Sequence, residues 1–183
     1  VVLDNGGAKI TTSVTIQVQE PTNEAWVVRT PATNEKPVNN QFYARDDTGY
    51  GTLYYNGTQG GTSPNAFIKV YTNGVLYTNI VQTLVGGAYA FTAKIPSGLI
   101  QHMVQYGTGA VVLATVTNIV CGDAYIVDGQ SNAVTAPDDG GEPTQYTNFW
   151  IRTCGLTQGW GYGTRDGDIN ERKIGHWEMD LAS

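Results

Sequence analysis

The sequence predicts a mainly β chain, namely an antiparallel β-sandwich followed by the start of an α/β domain. Short runs in which apolar and polar residues alternate recur about every ten residues between Ala25 and Val120. Turn residues separate these runs, most clearly at Asn73-Gly74, because Asn-Gly between two such runs favours a hairpin. After Gly122 the alternation gives way to continuous apolar runs and then to a helical period.

Residues 1–20 are predicted to be the last strands of a preceding module plus a linker. Val14, Ile16 and Val18 alternate with polar residues, as in a half-buried strand. The stretch is similar to the final hairpin of the immunoglobulin-like modules of bacterial surface proteins. The chain opens without an initiator Met, and we expect it to be a processed or excised piece of a longer protein.

Residues 21–121 are predicted to form the β-sandwich, an accessory domain. Strands of this length at this spacing, with no helical period, are typical of such a fold. We interpret Asn56-Gly57 as a turn. The predicted strands are 25–29, 41–45, 50–55, 66–72, 75–80, 88–95, 99–106 and 110–120.

Residues 122–183 are predicted to be the incomplete N-terminal part of an α/β domain. Ala124–Val127 and Phe149–Cys154 are apolar enough for two buried parallel strands, and 155–167 is a glycine-rich loop. A helix is predicted from Asp168, because three apolar residues fall on one face: Ile174, Trp177 and Leu181. Two strands and a helix leave sheet edges unpaired, so we expect the remainder of the chain or a companion subunit to complete this domain.

The composition excludes two classes of partner. Charged residues make up 14% of the chain, the formal net charge is −6, and no Lys/Arg cluster occurs. Nucleic acid is therefore excluded as a partner, since nothing offers several phosphate contacts. No apolar run approaches the roughly 20 residues that span a bilayer, so membrane insertion is excluded as well. A low content of charged residues together with a high content of Thr, Asn and Tyr is typical of secreted β proteins. We therefore expect an extracellular, cell-surface or periplasmic location.

A serine on a tight turn is the strongest functional signal in the sequence. Asp128-Gly129 ends the predicted strand 124–127 and presents Gln130, Ser131 and Asn132. A serine just past the carboxyl end of a buried strand is where α/β enzymes place a nucleophile. The alternative is that Ser131 and Asn132 cap a following helix.

The residues around this turn resemble a known family. Gly122-Asp-Ala-Tyr-Ile-Val-Asp-Gly-Gln-Ser-Asn-Ala133 looks like the first block of the SGNH-hydrolase superfamily, in its sialate O-acetylesterase-like carbohydrate esterase branch. Ile151–Gly155 and Ile174–Ala182 resemble the second strand and the following helix of that branch, whose usual fold is flavodoxin-like. A β-sandwich directly ahead of Gly-Asp is also usual there.

The resemblance implies a secreted serine esterase that removes O-acetyl groups from carbohydrates such as sialic acid or polysaccharide. It implies Ser131 as the nucleophile, Gly129 as the turn residue, and Gln130 and Asn132 as residues that shape the loop and oxyanion site. In the family the histidine base comes from an Asp-x-x-His motif, which these 183 residues do not contain. We therefore expect no appreciable esterase activity from this segment alone. No cofactor is implied.

The other candidate groups have plainer interpretations. Trp160 and Tyr162 could stack on a sugar ring or pack a loop beside the active-site face. His176 is interpreted as a helix residue and not as a base. Asp166–Asn170 departs from the calcium-loop pattern, so no metal site is predicted. Asn56-Gly-Thr58 fits a glycosylation sequon and also a plain turn. Cys121 and Cys154 are predicted to be unpaired thiols that act as small hydrophobic residues in a covered sheet.

A non-enzymatic alternative stays open. The chain could be a structural or adhesive component of a bacterial surface assembly that keeps an esterase-like fold only as a scaffold, or a module that binds glycans through its tyrosines. The absence of the base motif is the observation that favours this alternative.

Overall fold

The computed structural model describes residues 2–5, 8–11, 29–125, 149–155 and 159–162. Regular structure in these residues is β-strand, so the mainly β prediction is confirmed for them. The helix predicted from Asp168 lies outside the described residues. The strands are β1 Val2–Asn5, β2 Ala8–Thr11, β3 Phe42–Ala44, β4 Tyr50–Thr58, β5 Asn65–Thr72, β6 Val75–Thr83, β7 Ala88–Pro96, β8 His102–Thr108, β9 Val111–Gly122, β10 Arg152–Gly155 and β11 Gly159–Tyr162.

Two sheets enclose the main core. The larger has five strands in the order β3-β9-β8-β5-β6, and the smaller pairs β4 with β7. The inward side chains of both sheets form one buried cluster. Seven of the eight strands predicted between 25 and 120 are present, as β3–β9, and the first lies almost entirely outside the described residues. The hairpins β1–β2 and β10–β11 form two further, two-stranded sheets.

One strand pair corrects the prediction of a purely antiparallel sandwich. β3 runs parallel to β9, with Phe42 opposite Val120 and Tyr43 opposite Cys121. A parallel pair needs a long crossover, and here the crossover contains every strand from β4 to β8. Because the two partners are so distant in sequence, no local pattern in the sequence indicates this pairing.

Asn56 and Gly57 lie inside β4, so the turn predicted there is wrong. The strand continues to Thr58 and pairs with the start of β7. Gly57 is required by its partner Tyr89, because a Cβ at position 57 would lie 2.6 Å from the Tyr89 hydroxyl oxygen. Asn56 is buried, and its Nδ2 donates a hydrogen bond to the Ala32 carbonyl oxygen at 3.1 Å. The sequon is therefore inaccessible in the folded chain.

Aromatic rings fill the centre of the core. Tyr55 from the small sheet stacks on Tyr106 from the large one, with ring centroids 4.9 Å apart and planes 12° from parallel. Tyr89 packs on the same Tyr106 ring at 4.7 Å. Burial raises the pKa of Tyr55 to about 12. These offset ring contacts fix the spacing between the sheets, and burial of such rings dominates core energetics.

Phe67 is buried on the outer face of the large sheet. It alternates with Ala66 and Ile68, which face the core, and its ring lies over its cross-strand partner Gly107. A Cβ at position 107 would overlap the Val111 carbonyl oxygen and come within 2.7 Å of Phe67 Cε1. Gly107 therefore makes room for the ring and for the bulged register between β8 and β9.

We expect Gly107→Ala to lower the free energy of unfolding by at least about 1–3 kcal/mol, because the added methyl group overpacks a backbone contact. Urea denaturation monitored by circular dichroism measures this loss. Gly60→Ala is the matched control, since a Cβ there meets nothing within 4 Å. An equal effect of the two substitutions would contradict the role given to Gly107.

Candidate functional site

The predicted nucleophile turn lies outside the described residues, and so do its four members Gly129, Gln130, Ser131 and Asn132. The structure describes the chain that leads into this turn, through Tyr125, and the hairpin that follows it from Phe149 onward. Of the predicted site residues, Trp160 and Tyr162 are described.

An ion pair fixes the point where the chain leaves the large sheet. β9 ends at Gly122, whose carbonyl oxygen accepts a hydrogen bond from Arg45 N at 2.9 Å. The Arg45 side chain continues to Asp123, with Nε 2.7 Å from Oδ1. Both side chains are partly exposed, so the pair contributes little stability and mainly directs the backbone. The end of β3 thus orients the first residues of the Gly122–Ala133 block.

The predicted buried strand 124–127 is not seen in its described half. Ala124 and Tyr125 lie outside any strand and are exposed, with Tyr125 60% accessible. Residues 126 and 127 lie outside the described residues. The strand that leads into this region is β9. It ends at Gly122, two residues beyond its predicted end at Val120.

Part of the loop predicted over 155–167 is β-strand, since β11 covers Gly159–Tyr162. β10 pairs antiparallel with β11, with Arg152 opposite Tyr162 and Cys154 opposite Trp160. Directly opposite residues share a face, so both aromatic rings lie on the face that carries Arg152. Glycine alternates with an aromatic residue in 159–162, and this period of two was the signal for a strand. The high glycine content of the segment indicated a loop instead.

Arg152 organises this hairpin. Its guanidinium carbon lies 4.4 Å from the Tyr162 ring centroid and 5.3 Å from that of Phe149. The guanidinium donates hydrogen bonds to the carbonyl oxygens of Phe149, Ile151 and Asn118. Burial lowers the pKa of Arg152, and no carboxylate among the described residues forms a salt bridge with it. The bond to Asn118 attaches the hairpin to β9.

Trp160 makes a second contact between the hairpin and the large sheet. Its ring centroid lies 6.1 Å from that of Phe42 in β3, opposite Val120. Ile119, Val120 and Cys121 are all buried, which in a strand means that both faces are covered. Ile119 and Cys121 face the core, so Val120 and its partner Phe42 mark the covered outer face. Trp160 and Tyr162 keep part of their surface accessible, and sugar stacking by these rings stays a prediction.

His102 cannot act as a general base. It is fully buried, and its Nε2 lies 2.9 Å from the Pro96 carbonyl oxygen, so this nitrogen is the donor. Nδ1 then accepts a hydrogen bond from the Thr72 hydroxyl at 3.2 Å. Both ring nitrogens are occupied, and burial lowers the pKa of the imidazole. The second histidine, His176, lies outside the described residues.

The two cysteines differ in environment. They are not joined to each other, as expected. Cys121 is a buried core residue, and burial raises its pKa to about 11, which makes it an inert thiol. Cys154 is exposed on β10. The prediction that both residues are covered is therefore wrong for Cys154, because its hairpin is not part of the large sheet.

A shallow groove of about 360 Å³ lies where the edges of the two sheets approach each other. Segment 31–33, the end of β4, the end of β6 and the start of β7 line it. The lining is uncharged and contains no cysteine, serine or histidine. It can therefore hold a neutral group but offers no acid, base or thiol for chemistry.

In the described part of the chain, no three His, Cys, Asp or Glu side chains are grouped to bind a metal ion. The Asp166–Asn170 stretch lies outside it. No helix of the described residues is long and apolar enough to cross a membrane. Comparison of the whole chain with protein-family models, with curated proteins and with solved structures finds no match.

We expect folding stability to fall with acidification through His102. The pKa of this buried imidazole is lowered from 6.5, so the unfolded chain binds the proton more readily than the folded chain. The contribution of neutral His102 is therefore complete above about pH 6.5 and decreases below it, by up to about 1.4 kcal/mol per pH unit. Denaturant midpoints of the wild type and His102→Gln between pH 7.5 and 5 measure this difference. Parallel profiles would refute it.

We expect Phe42→Ala to loosen the β10–β11 hairpin, because it removes the ring that Trp160 contacts. Loss of one aromatic contact, about 0.5–1.5 kcal/mol, should accelerate hydrogen exchange of the hairpin amides up to about tenfold. Exchange in β5 should not change. Tyr77→Ala, which removes an exposed ring from β6, is the control. Unchanged hairpin exchange in Phe42→Ala would show that the contact does not hold the hairpin.

Proposed function

We propose that this chain carries the accessory β domain and the nucleophile segment of an SGNH-like serine esterase that removes O-acetyl groups from carbohydrates. The observation that carries the proposal is the Gly122–Ala133 block with Ser131 inside it. The structure supports it by position. The described β domain ends at Gly122, the first residue of the block, and Arg45 holds the second residue, Asp123.

In the proposed reaction the Ser131 hydroxyl attacks the acetyl carbonyl carbon. A histidine base takes the serine proton and returns it to the departing sugar oxygen, which leaves an acetyl-serine that water hydrolyses. The backbone N–H of Ser131 donates to the oxyanion, and Gly129 gives the turn that exposes the serine. Gln130 and Asn132 shape the loop around it.

The base is proposed to come from an Asp-x-x-His motif outside these 183 residues, either in the same polypeptide or in a companion subunit. Support comes from His102, whose ring nitrogens are both engaged in the core. An unassisted serine hydroxyl is a weak nucleophile at neutral pH. The proposed active unit is therefore larger than the segment described.

The nearly balanced charge of residues 29–125 favours an uncharged polysaccharide over the anionic sialic acid as the carbohydrate. Residues 29–125 contain five basic and four acidic residues, a net of one positive charge. Sugar hydroxyls are matched by amide, hydroxyl and aromatic groups, and Trp160 and Tyr162 are proposed as the rings on the substrate side. An extracellular, cell-surface or periplasmic site of action is part of the same proposal.

A second candidate is a non-catalytic component of a surface assembly, structural, adhesive or glycan-binding. The observation that favours it is that neither the Asp-x-x-His motif nor an accessible histidine occurs in the described residues. Under this proposal Ser131 retains the turn but has no base.

We expect Ser131→Ala to reduce deacetylation by the full natural polypeptide at least about a thousandfold, because it removes the nucleophile. Release of acetate from O-acetylated oligosaccharides measures the rate, and a fluorophosphonate probe should label Ser131 in the wild type only. Ser97→Ala is the matched control, a partly buried serine at the end of β7. Equal turnover by wild type and Ser131→Ala, or labelling at another residue, would favour the non-catalytic candidate.

A further inference from the structure

Two Asn-Gly pairs of the same chemistry lie in opposite environments of the β domain. Asn73-Gly74 forms the exposed two-residue turn between β5 and β6, with positive φ at both residues. Asn56-Gly57 lies inside β4, and Asn56 is only 6% exposed. In an Asn-Gly pair the glycine nitrogen can attack the side-chain amide of the asparagine, because glycine has no Cβ to block the close approach. The two environments decide whether this attack takes place.

The Asn73 side chain is held with its carbonyl oxygen on a backbone donor. Gln101 N donates to Asn73 Oδ1 at 3.0 Å, and Asn73 N donates in turn to the Gln101 carbonyl oxygen at 2.8 Å. A donor at Oδ1 stabilises the negative charge that this oxygen gains when a nucleophile attacks Cγ. The bond from Gln101 thus makes the amide of Asn73 a better target for attack.

The nitrogen that would attack is also accessible. Gly74 N donates to no backbone carbonyl oxygen among the described residues. Gly74 is exposed, so water or hydroxide can reach its N–H and take the proton. The tip of a hairpin opens locally at small cost, which lets this nitrogen approach Asn73 Cγ.

The surroundings of Asn56-Gly57 prevent the same attack. Asn56 N donates to the Glu35 carbonyl oxygen, so the backbone polar groups of Asn56 point away from β7 and those of Gly57 point toward it. Gly57 N is therefore bonded into the ladder opposite Tyr89. The leaving nitrogen, Asn56 Nδ2, donates to the Ala32 carbonyl oxygen at 3.1 Å. Attack at this site requires β4 to separate from β7.

We propose that Asn73 is a site of deamidation, in which Gly74 N attacks Asn73 Cγ and the side-chain nitrogen leaves as ammonia. A bond from Gly74 N to Cγ forms, the Cγ–Nδ2 bond breaks, and water carries the Gly74 amide proton to the leaving nitrogen. Water then opens the succinimide ring at either carbonyl carbon, which gives aspartate or isoaspartate at position 73. The net reaction consumes one water and releases one ammonia. This inference does not depend on the proposed esterase function.

The product alters the β5–β6 turn. Its carboxylate is the only charge in the stretch from Val70 to Ala93, which contains no Asp, Glu, Lys, Arg or His. Isoaspartate also lengthens the main chain by one carbon, and the register of a hairpin is fixed by its turn type and loop length. The modification therefore weakens the pairing of β5 with β6 next to the turn.

Peptide mapping of the full chain after incubation in mildly alkaline buffer, folded and in guanidinium chloride, tests the proposal. In the denaturant Asn56 and Asn73 should react at similar rates, since glycine follows both residues. In the folded chain Asn73 should react within about tenfold of its unfolded rate, whereas Asn56 should be slowed at least about a hundredfold, because it reacts only when the sheet opens. Protection of Asn73 as strong as that of Asn56 would overturn the proposal.

A pair of glycine variants tests whether Gly74 N is the attacking group. Gly74→Ala should slow deamidation of Asn73 at least about tenfold, because a methyl group hinders the approach of this nitrogen. Gly86→Ala is the matched control, since both glycines have positive φ and a Cβ at either position meets nothing within 4 Å. It should leave the rate at Asn73 unchanged. Equal rates in the two variants would also overturn the proposal.

Discussion

The backbone pairing of β9 is the constraint on which the described structure depends. This strand bonds to β8 along one side and, at its end, to β3 along the other. Ile119 and Cys121 belong to the core, whereas Val120 faces outward beneath the contact of Phe42 with Trp160. The strand ends at Gly122, directly before Asp123. Core, edge strand, aromatic hairpin and the exit toward Ser131 are therefore all positioned by one twelve-residue strand.

β9 contains an irregularity at Asn118, close to where its pairing with the β3 side begins. Between the pairs Val104–Val116 and His102–Ile119, β9 has one residue more than β8. Asn118 takes up this difference with a left-handed φ of 59°, a conformation that asparagine tolerates better than most residues. The bulge rotates the strand, and pairing with the β3 side begins there, with Asn40 N bonded to the Thr117 carbonyl oxygen. Arg152 binds the Asn118 carbonyl oxygen at the same point.

Local patterns predicted the strands well but predicted their partners poorly. β7 alternates buried and exposed residues almost throughout, as its sequence indicated, and Asn73-Gly74 forms the predicted turn with positive φ at both residues. Gly57 resembled a turn residue because its sequence neighbours do not show that Tyr89 occupies the space of a side chain. The pairing of Phe42 with Val120 has no local signature. For the site, the sequence indicated a serine and its turn. The described residues add the Arg45–Asp123 ion pair and the β10–β11 hairpin that Arg152 attaches to β9.

The parallel pair of β3 with β9 also determines the order in which the domain can assemble. β4 to β8 all lie between the two partners in sequence, so the other ladders of the two main sheets join residues that are closer along the chain. Closing the longest loop costs the most chain entropy. This cost is offset only by the contacts that form when β3 and β9 pair. During synthesis, β3 leaves the ribosome first among these strands and has no partner until β9 has emerged. The backbone ladder of Phe42 and Tyr43 therefore cannot form until β9 has been translated.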